Sequence, residues 1–305
     1  MKNKALLNNA LPHPIATGRF APSPTGDLHL GSLVAATASY LNIKHQSGRW
    51  LLRIDDIDAP RVISGSQDRI FRQLEAYGFE WDRTIIQSER VALYQDAFNQ
   101  LERQQLTYGC DCTRLTIQER VGQKIIYDQH CRSRQLPYSD RHAIRIKTPD
   151  QPWRWQDAIQ GLQNFDWEKQ LGDFIIKRAD AIWAYHLVAA VDDSDDGITE
   201  VIRGADLLTS TAPQQYIQTC LQRPSPSYAH HPILLDQKTN IKLSKASQAN
   251  AIKADEAINN LFLVLSFLNQ QPPPELMQGS INDIWQWAIN HWSLDKVNAI
   301  ADQGA

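Results

Sequence analysis

No uninterrupted apolar run in these 305 residues approaches the ~18 that a membrane span needs, which excludes a transmembrane helix. Cysteine is scarce as well: four in the whole chain are too few at this length for a disulfide scaffold. Neither sign of charge prevails, with 31 basic against 34 acidic side chains. The resulting net charge of −3 excludes a wholly basic nucleic-acid binder but leaves room for a local basic stripe. There is no internal repeat and no low-complexity tract. Residues 1–14 carry two lysines, yet Ala5-Leu6-Leu7 is too short for the apolar core of a secretion signal, so a flexible tail on a cytoplasmic protein is expected.

What remains is globular in composition, 42% apolar and 21% charged, and long enough for two domains or for one with an insertion. The organising stretch is Arg19-Phe20-Ala21-Pro22-Ser23-Pro24-Thr25-Gly26-Asp27-Leu28-His29-Leu30-Gly31-Ser32. It follows a short apolar run, Ile15 to Phe20, and opens a segment in which Leu30, Leu33, Val34, Thr37, Tyr40 and Leu41 recur at helical spacing. Strand, Pro/Gly-rich turn and helix N-terminus in that order aim backbone N–H groups and a positive dipole end at one point, which suits phosphate. A second strand is expected over 48–54, then an acidic turn, Asp55-Asp56-Ile57-Asp58. A helix capped by Ser64 or Ser66 and ended by Gly78 should follow, and another over about 89–105. This alternation predicts an α/β fold around a doubly wound parallel sheet.

From Tyr108 the rhythm breaks. Three cysteines, a strand candidate at 142–147 and several arginines and tryptophans occupy the stretch to about Phe174, as an insertion into a nucleotide-binding domain would. The rhythm returns at Tyr185–Val191, with a strand ending in Ile202-Arg203, a helix over 210–221, and His230-His231-Pro232 leading to Lys242-Leu243-Ser244-Lys245. Two helices, 257–268 and about 281–292, close the chain, with Trp285 and Trp292 read as core. Cys110-x-Cys112 and Tyr127-x-x-x-Cys131 suggest tetrahedral zinc rather than a disulfide, with Tyr127, His130 and His142 as candidates for the fourth ligand. Arg132, Arg134, Arg141, Arg145 and Lys147, beside Trp153, Arg154 and Trp155, could either track an RNA backbone or cover a tryptophan-rich core.

His29-Leu30-Gly31-Ser32 and the distant Lys242-Leu243-Ser244-Lys245 resemble, in the right order, the two signature motifs of class I aminoacyl-tRNA synthetases. Arg-Phe-Ala-Pro-Ser-Pro-Thr-Gly looks like their glutamyl/glutaminyl branch. The Cys-x-Cys…Tyr-x-x-x-Cys pattern, with only a short helical stretch after the lysine motif, is similar to the short glutamyl-Q tRNA(Asp) synthetases. The resemblance implies a class I synthetase (Rossmann-like) fold and residue roles. His29 and Lys245 would be catalytic, and His29, Gly31, Ser32, Lys242 and Lys245 would bind ATP, presented with Mg²⁺. Arg19 would pair with the glutamate carboxylate; Phe20, Ala21, Pro22 and Ser23 would line the pocket; Asp55, where relatives have Glu, would bind the amino group; Tyr185 and Arg203 would complete it. Cys110, Cys112, Tyr127 and Cys131 would hold one structural zinc.

The implied reaction is tRNA-independent formation of glutamyl-adenylate, then transfer of glutamate to the cyclopentenediol of queuosine at the wobble position of tRNA(Asp). The protein would dock on the anticodon stem-loop, as a monomer and away from membranes. The implied domains are a tail (1–14), the first half of the nucleotide-binding domain (15–107), an inserted zinc- and acceptor-like subdomain (108–174), the second half with the lysine loop (175–250) and a helical C-terminal region (251–305) without an anticodon-binding domain. Rival readings are a short glutamyl-tRNA synthetase charging a 3′ end, a non-catalytic RNA-binding paralogue, and a small-molecule adenylyltransferase.

Overall fold

The computed structural model describes residues 15–123, 126–139, 141–234 and 250–299. Strand β1 (Thr17–Phe20) runs into helix α1 (Leu30–His45), followed by β2 (Arg49–Ile54), α2 (Ser66–Ala76), β3 (Arg83–Ile86) and α3 (Val91–Arg103). β1, β2 and β3 pair in parallel, as expected of successive β-α-β units. In β2 the run Trp50-Leu51-Leu52-Arg53-Ile54 is buried throughout, the pattern of a strand covered on both faces. Ser66 corrects the capping expectation. The N-cap of α2 is Gly65, in the left-handed region, and Ser66 is the first helical residue. Its hydroxyl instead clasps the turn before α1, accepting from the Gly26 N–H at 3.0 Å and donating to the Gly26 carbonyl at 2.8 Å. Gly26 itself sits at φ +133°, a conformation glycine adopts freely.

The insertion begins at β4 (Thr107–Cys110), continues through α4 (Arg114–Val121), β5 (Ala143–Ile146), the hairpin of β6 (Trp153–Asp157) and β7 (Gly161–Phe165), and the short α5 (Trp167–Gln170), and reaches β8 (Phe174–Lys177). β4, β5 and β8 form an antiparallel sheet, so the change of rhythm is a change of sheet type. Parallel order resumes with α6 (Tyr185–Asp195), β9 (Glu200–Gly204), α7 (Thr211–Cys220) and β10 (Ser227–His231). β9 and β10 pair in parallel, and β6 adds to the free edge of β10. Thr199, just before β9, donates its N–H to the Thr17 carbonyl at 2.8 Å and accepts the Thr17 N–H at 2.9 Å on its hydroxyl. The parallel strands thus run β3-β2-β1-β9-β10, reversing direction of growth between β1 and β9.

Helices α8 (Ala257–Phe267) and α9 (Ile281–His291) pack on the outer side of α1. The core around α1 accordingly unites Leu33, Leu41 and Trp50 with Leu261, Leu265 and Trp285. Trp285 and Trp292 are both buried, as the sequence pattern predicts. Among the described residues no helix is long and apolar enough to cross a membrane.

Candidate active site

The C-terminal ends of β1, β2, β9 and β10 open on a cavity of about 310 Å³. It lies at the reversal between β1 and β9, the crevice where parallel α/β sheets receive ligands. Arg19 and Phe20 enter it from β1, and Ala21, Pro22 and Ser23 from the turn that follows. His29, Gly31 and Ser32 line it from the start of α1, Asp55 from the end of β2, Tyr185 from the start of α6 and Arg203 from β9. Thr25, Gly204, Asp206 and His231 also face it. Lys242 and Lys245 lie outside the described residues. The chain departs toward them from Ile233 and Leu234, which line this cavity, and returns at Ala251, which pairs with His29.

His29 is the N-cap of α1: its Nδ1 accepts the Ser32 N–H at 3.1 Å. That bond fixes the neutral tautomer with its proton on Nε2, a donor. No acidic residue occupies the first turn of α1, which keeps the positive end of its dipole available to an anion.

Arg19, although it lines the cavity, is engaged from behind. Its Nε and Nη2 donate to the two carboxylate oxygens of Asp193 at 3.0 and 3.1 Å. The same Asp193 accepts from Arg53 at 2.7 Å, and Arg53 donates to Asp55 at 2.7 Å and lies 3.7 Å from Asp192. Arg53 is 1% exposed, so this is an interior charge network. Burial alone would push the Asp193 carboxyl up, but two guanidinium groups outweigh it and hold it at about 2. Asp55 and Asp192 share what Arg53 has left. Desolvation prevails at both, raising Asp55 and lifting Asp192 to about 6 despite Arg53 and Arg90. Asp55 is therefore short, pinned by Arg53 and only partly compensated, and an incoming ammonium group would supply the charge it lacks.

Arg203 differs from Arg19. A salt bridge to Asp206 is the ordinary expectation for such a residue, and it is not there. Nε donates to His230 Nε2 at 2.9 Å, Nη1 to Gln214 at 2.8 Å, and Nη2 to Thr211 at 2.9 Å and the Leu207 carbonyl at 3.2 Å. Tyr185 stands 3.5 Å from Nη1 and is 37% exposed, so it is a cavity wall and not a core aromatic. Every one of these partners is neutral, and among the described residues no carboxylate pairs with Arg203. It is thus a buried, immobilised cation beside an open cavity: its N–H groups are directed at these neutral acceptors, so it offers an anionic ligand its uncompensated charge and, at the loosest of them, the 3.5 Å contact with Tyr185.

The cysteine cluster forms apart from this cavity. The sulfurs of Cys110, Cys112 and Cys131 lie within 4.8 Å of one another, and the Tyr127 hydroxyl is 3.4 Å from Cys110 Sγ. Neither His130 nor His142 joins the group; His142 Nδ1 lies against the Pro137 carbonyl at 2.7 Å. Each sulfur accepts from an arginine: Cys110 from Arg145 at 3.2 Å, Cys112 from Arg120 at 3.3 Å and Cys131 from Arg134 at 3.4 Å. Arg145 also stacks on the Tyr127 ring, 3.5 Å from its centre. Of the residues that could track an RNA backbone, Arg145 and Trp155 are buried, while Arg134, paired with Asp111, and Arg141 and Arg154 remain exposed.

Asp193, Asp157 and His230 were invisible to sequence reasoning as site residues. Asp193 sits in the acidic run Asp192-Asp193-Ser194-Asp195-Asp196, in which nothing distinguishes one carboxylate from the next, and nothing in the order of residues brings Asp157 near Arg203.

Residues 15–266 match the family described as tRNA synthetases class I (E and Q), catalytic domain. A protein from Aromatoleum aromaticum named glutamyl-Q tRNA(Asp) synthetase is 41% identical over 286 residues, 92% of this chain and 90% of that protein. One of the same name from Ectopseudomonas mendocina is 42% identical over 281 residues, 92% of this chain and 94% of that protein. A crystal structure of glutamate-tRNA synthetase from Elizabethkingia anophelis superposes with a TM-score of 0.79 at 26% identity, covering 93% of this chain and 67% of that one.

Proposed function

The chain belongs to the glutamyl-Q tRNA(Asp) synthetase family, within the class I (E and Q) tRNA synthetases, and is an ATP-dependent ligase; from that premise we propose that it activates L-glutamate without tRNA and passes it to queuosine in the anticodon of tRNA(Asp). In the first step a glutamate α-carboxylate oxygen attacks the α-phosphorus of ATP, and pyrophosphate leaves with the electron pair of the broken P–O bond. In the second, a hydroxyl of the queuosine cyclopentenediol attacks the acyl carbon of glutamyl-adenylate, AMP leaves, and the hydroxyl proton is lost.

The observation that carries this reading is the convergence of His29, Arg19, Asp55, Tyr185 and Arg203 on one cavity at the strand-order reversal. Positioning two anions and neutralising their charge is most of what the first step demands of a protein. In this assignment Arg19 and Arg203 receive the two carboxylates of glutamate, Asp55 its ammonium, and Phe20, Ala21, Pro22 and Ser23 its flanks. His29, Gly31 and Ser32 receive the phosphates and ribose of ATP with its Mg²⁺, with Lys242 and Lys245 completing the phosphate site. Cys110, Cys112, Tyr127 and Cys131 would hold one zinc ion. Three thiolates and a phenolate on a dication carry excess negative charge, and the arginines bonded to the sulfurs are placed to offset it. That zinc would fix the fold of 108–174 and supply no reaction step. The reading divides the chain into two nucleotide-binding halves (15–107 and 175–250), this insertion and the helical region from 251.

The test is glutamate-dependent ATP–pyrophosphate exchange without tRNA, followed by transfer of labelled glutamate to tRNA(Asp). Exchange is expected, with transfer only to tRNA that carries queuosine. Label on tRNA lacking queuosine, sensitive to periodate oxidation of the 3′ end, would replace the reading with that of a 3′-charging enzyme, and absence of exchange would end it.

A further inference from the structure

Strand β6 connects to the cavity wall indirectly, through two side chains that stand behind Arg203. Asp157, the last residue of β6, is fully buried, as is His230 on the neighbouring β10. One Asp157 oxygen accepts the backbone N–H groups of His230, Ile159 and Gln160 at 3.1, 3.1 and 2.9 Å. The other meets His230 Nδ1 at 2.5 Å. On the far side of the ring, Nε2 faces Arg203 Nε at 2.9 Å. A guanidinium group has only donors, so Nε2 must accept, and the ring must be neutral with its proton on Nδ1, donated to Asp157.

We infer that Asp157 and His230 form a positioning relay that holds Arg203 in the orientation in which it meets the carboxylate of the amino-acid substrate. The inference rests on the reading of Arg203 as a glutamate contact. Its logic is that of a carboxylate fixing a histidine tautomer so that the opposite nitrogen has a defined role. Here that role is acceptance. Protonating Nε2, or moving the proton to it, would set a donor against the Arg203 donor and turn the guanidinium away from Gln214 and Thr211. It would also bind the fold of the insertion to the quality of the amino-acid site, because Asp157 is the residue through which the β6–β7 hairpin registers on β10.

Charged and polar groups reach His230 from every neighbouring element: Asp157 from β6, Arg203 from β9, Arg19 more distantly from β1, Thr211 from α7 at 3.3 Å, and the Tyr228 ring stacked along its own strand. Burial, more than the attraction of Asp157 can offset, holds the imidazole below the ordinary histidine range, which keeps it neutral through physiological pH.

Two amide variants that place their polar atoms differently separate the two ring nitrogens' roles. In His230→Gln the side-chain oxygen reaches the place of Nε2 and can still accept from Arg203. In His230→Asn the amide reaches only the place of Nδ1, so Asp157 keeps a donor while Arg203 loses its acceptor. In ATP–pyrophosphate exchange, His230→Asn is expected to raise KM for glutamate about tenfold or more over wild type with KM for ATP little changed, the signature of lost uniform binding. His230→Gln should recover most of that loss. Asp157→Asn, which turns an amide donor toward Nδ1 and drives the proton to Nε2, should behave like His230→Asn. Glutamate titration calorimetry on the same proteins reads the binding loss without turnover.

Equal behaviour of the Gln and Asn variants, or equal shifts in both KM values, would overturn the relay while wild-type exchange leaves the functional reading standing. If wild type itself binds no glutamate, both fall together.

Discussion

Asp193 shows how much a single interior charge can carry. It neutralises Arg19 and Arg53 at once, from a helix residue with a side chain 1% exposed. Replacing it with Asn leaves two buried guanidinium groups short of their shared counter-ion, and breaking a buried pair in this way costs about 3–5 kcal/mol. The Asp193→Asn protein should therefore unfold at markedly lower denaturant concentration at pH 7. The pH dependence has a definite sign. The folded carboxyl sits at about 2 against about 3.9 when unfolded, so its stabilisation is complete above about pH 4 and is lost as pH falls toward 2. Wild type should lose stability through that window, and Asp193→Asn should lose less of it; parallel slopes in the two proteins would mean that Asp193 is not the titrating group. The contacts of Arg19 illustrate what sequence can and cannot disclose. That Arg19 enters a cleft follows from its place between an apolar strand and a Pro/Gly turn. That Asp193 stands behind it does not, because an acidic run on a helix has the same appearance whether it faces water or an arginine.

Helix α1 was legible for local reasons: its apolar positions recur at the right period and its cap is adjacent in sequence. The cap carries a double duty that substitutions can split. His29→Ala removes the acceptor for the Ser32 N–H and should cost about 1 kcal/mol of stability along with activity. Asn is an equally good N-cap but offers no ring Nε2–H, so His29→Asn should melt like wild type while pyrophosphate exchange falls by about 100-fold, the usual scale for one lost transition-state donor. Full activity in His29→Asn would reduce His29 to a capping residue. The clasp of Ser66 on Gly26 is hidden from the sequence for the complementary reason. A serine before a helix suggests a cap, and only the fold reveals that a turn 40 residues earlier takes its hydroxyl. Gly172 is a further element-scale case. It lies at φ +70°, and a Cβ there would fall 2.3 Å from the Tyr127 carbonyl oxygen. Gly172→Ala should therefore displace Tyr127 from Cys110 and, on the proposed zinc reading, lower metal content measured by plasma emission, with the thiols of Cys110, Cys112 and Cys131 becoming reactive to maleimide. Unaltered metal content would separate the Tyr127 backbone from the cluster.

At the scale of the whole molecule, the candidate site and the core are assembled from opposite ends of the chain. β1 and β9 come together through Thr17 and Thr199, which is why residues near 20 and near 200 share one cavity; the alternation of strands and helices predicts the sheet but not this seam. The C-terminal helices raise the same issue. Their apolar spacing marks them as packed helices without saying against what. The structure answers that α1 is sandwiched between the parallel sheet and α8–α9, which explains why α1 is apolar almost all round: Leu33, Val34, Ala36, Ala38, Tyr40, Leu41 and Ile43 are all buried. Trp285 is central to this contact. Its ring packs edge-on against Tyr40 and Phe79 at 4.9 Å each, and its indole N–H donates to the Tyr77 carbonyl at 2.9 Å. Tyr40 and Phe79 in turn flank Trp50 on β2, so the tail is continuous with the strand that carries Arg53 and leads to Asp55. Trp285→Ala opens a cavity in that cluster and leaves a buried carbonyl unpaired, at a cost of about 3–5 kcal/mol. Because α8–α9 share a core with the first nucleotide-binding half, that loss should appear as a lowered midpoint of one cooperative transition, followed alike by tryptophan fluorescence and by loss of glutamate-dependent exchange. A second, separate transition, with exchange outlasting the unfolding of the tail, would make the C-terminal region an independent module resting on the catalytic half.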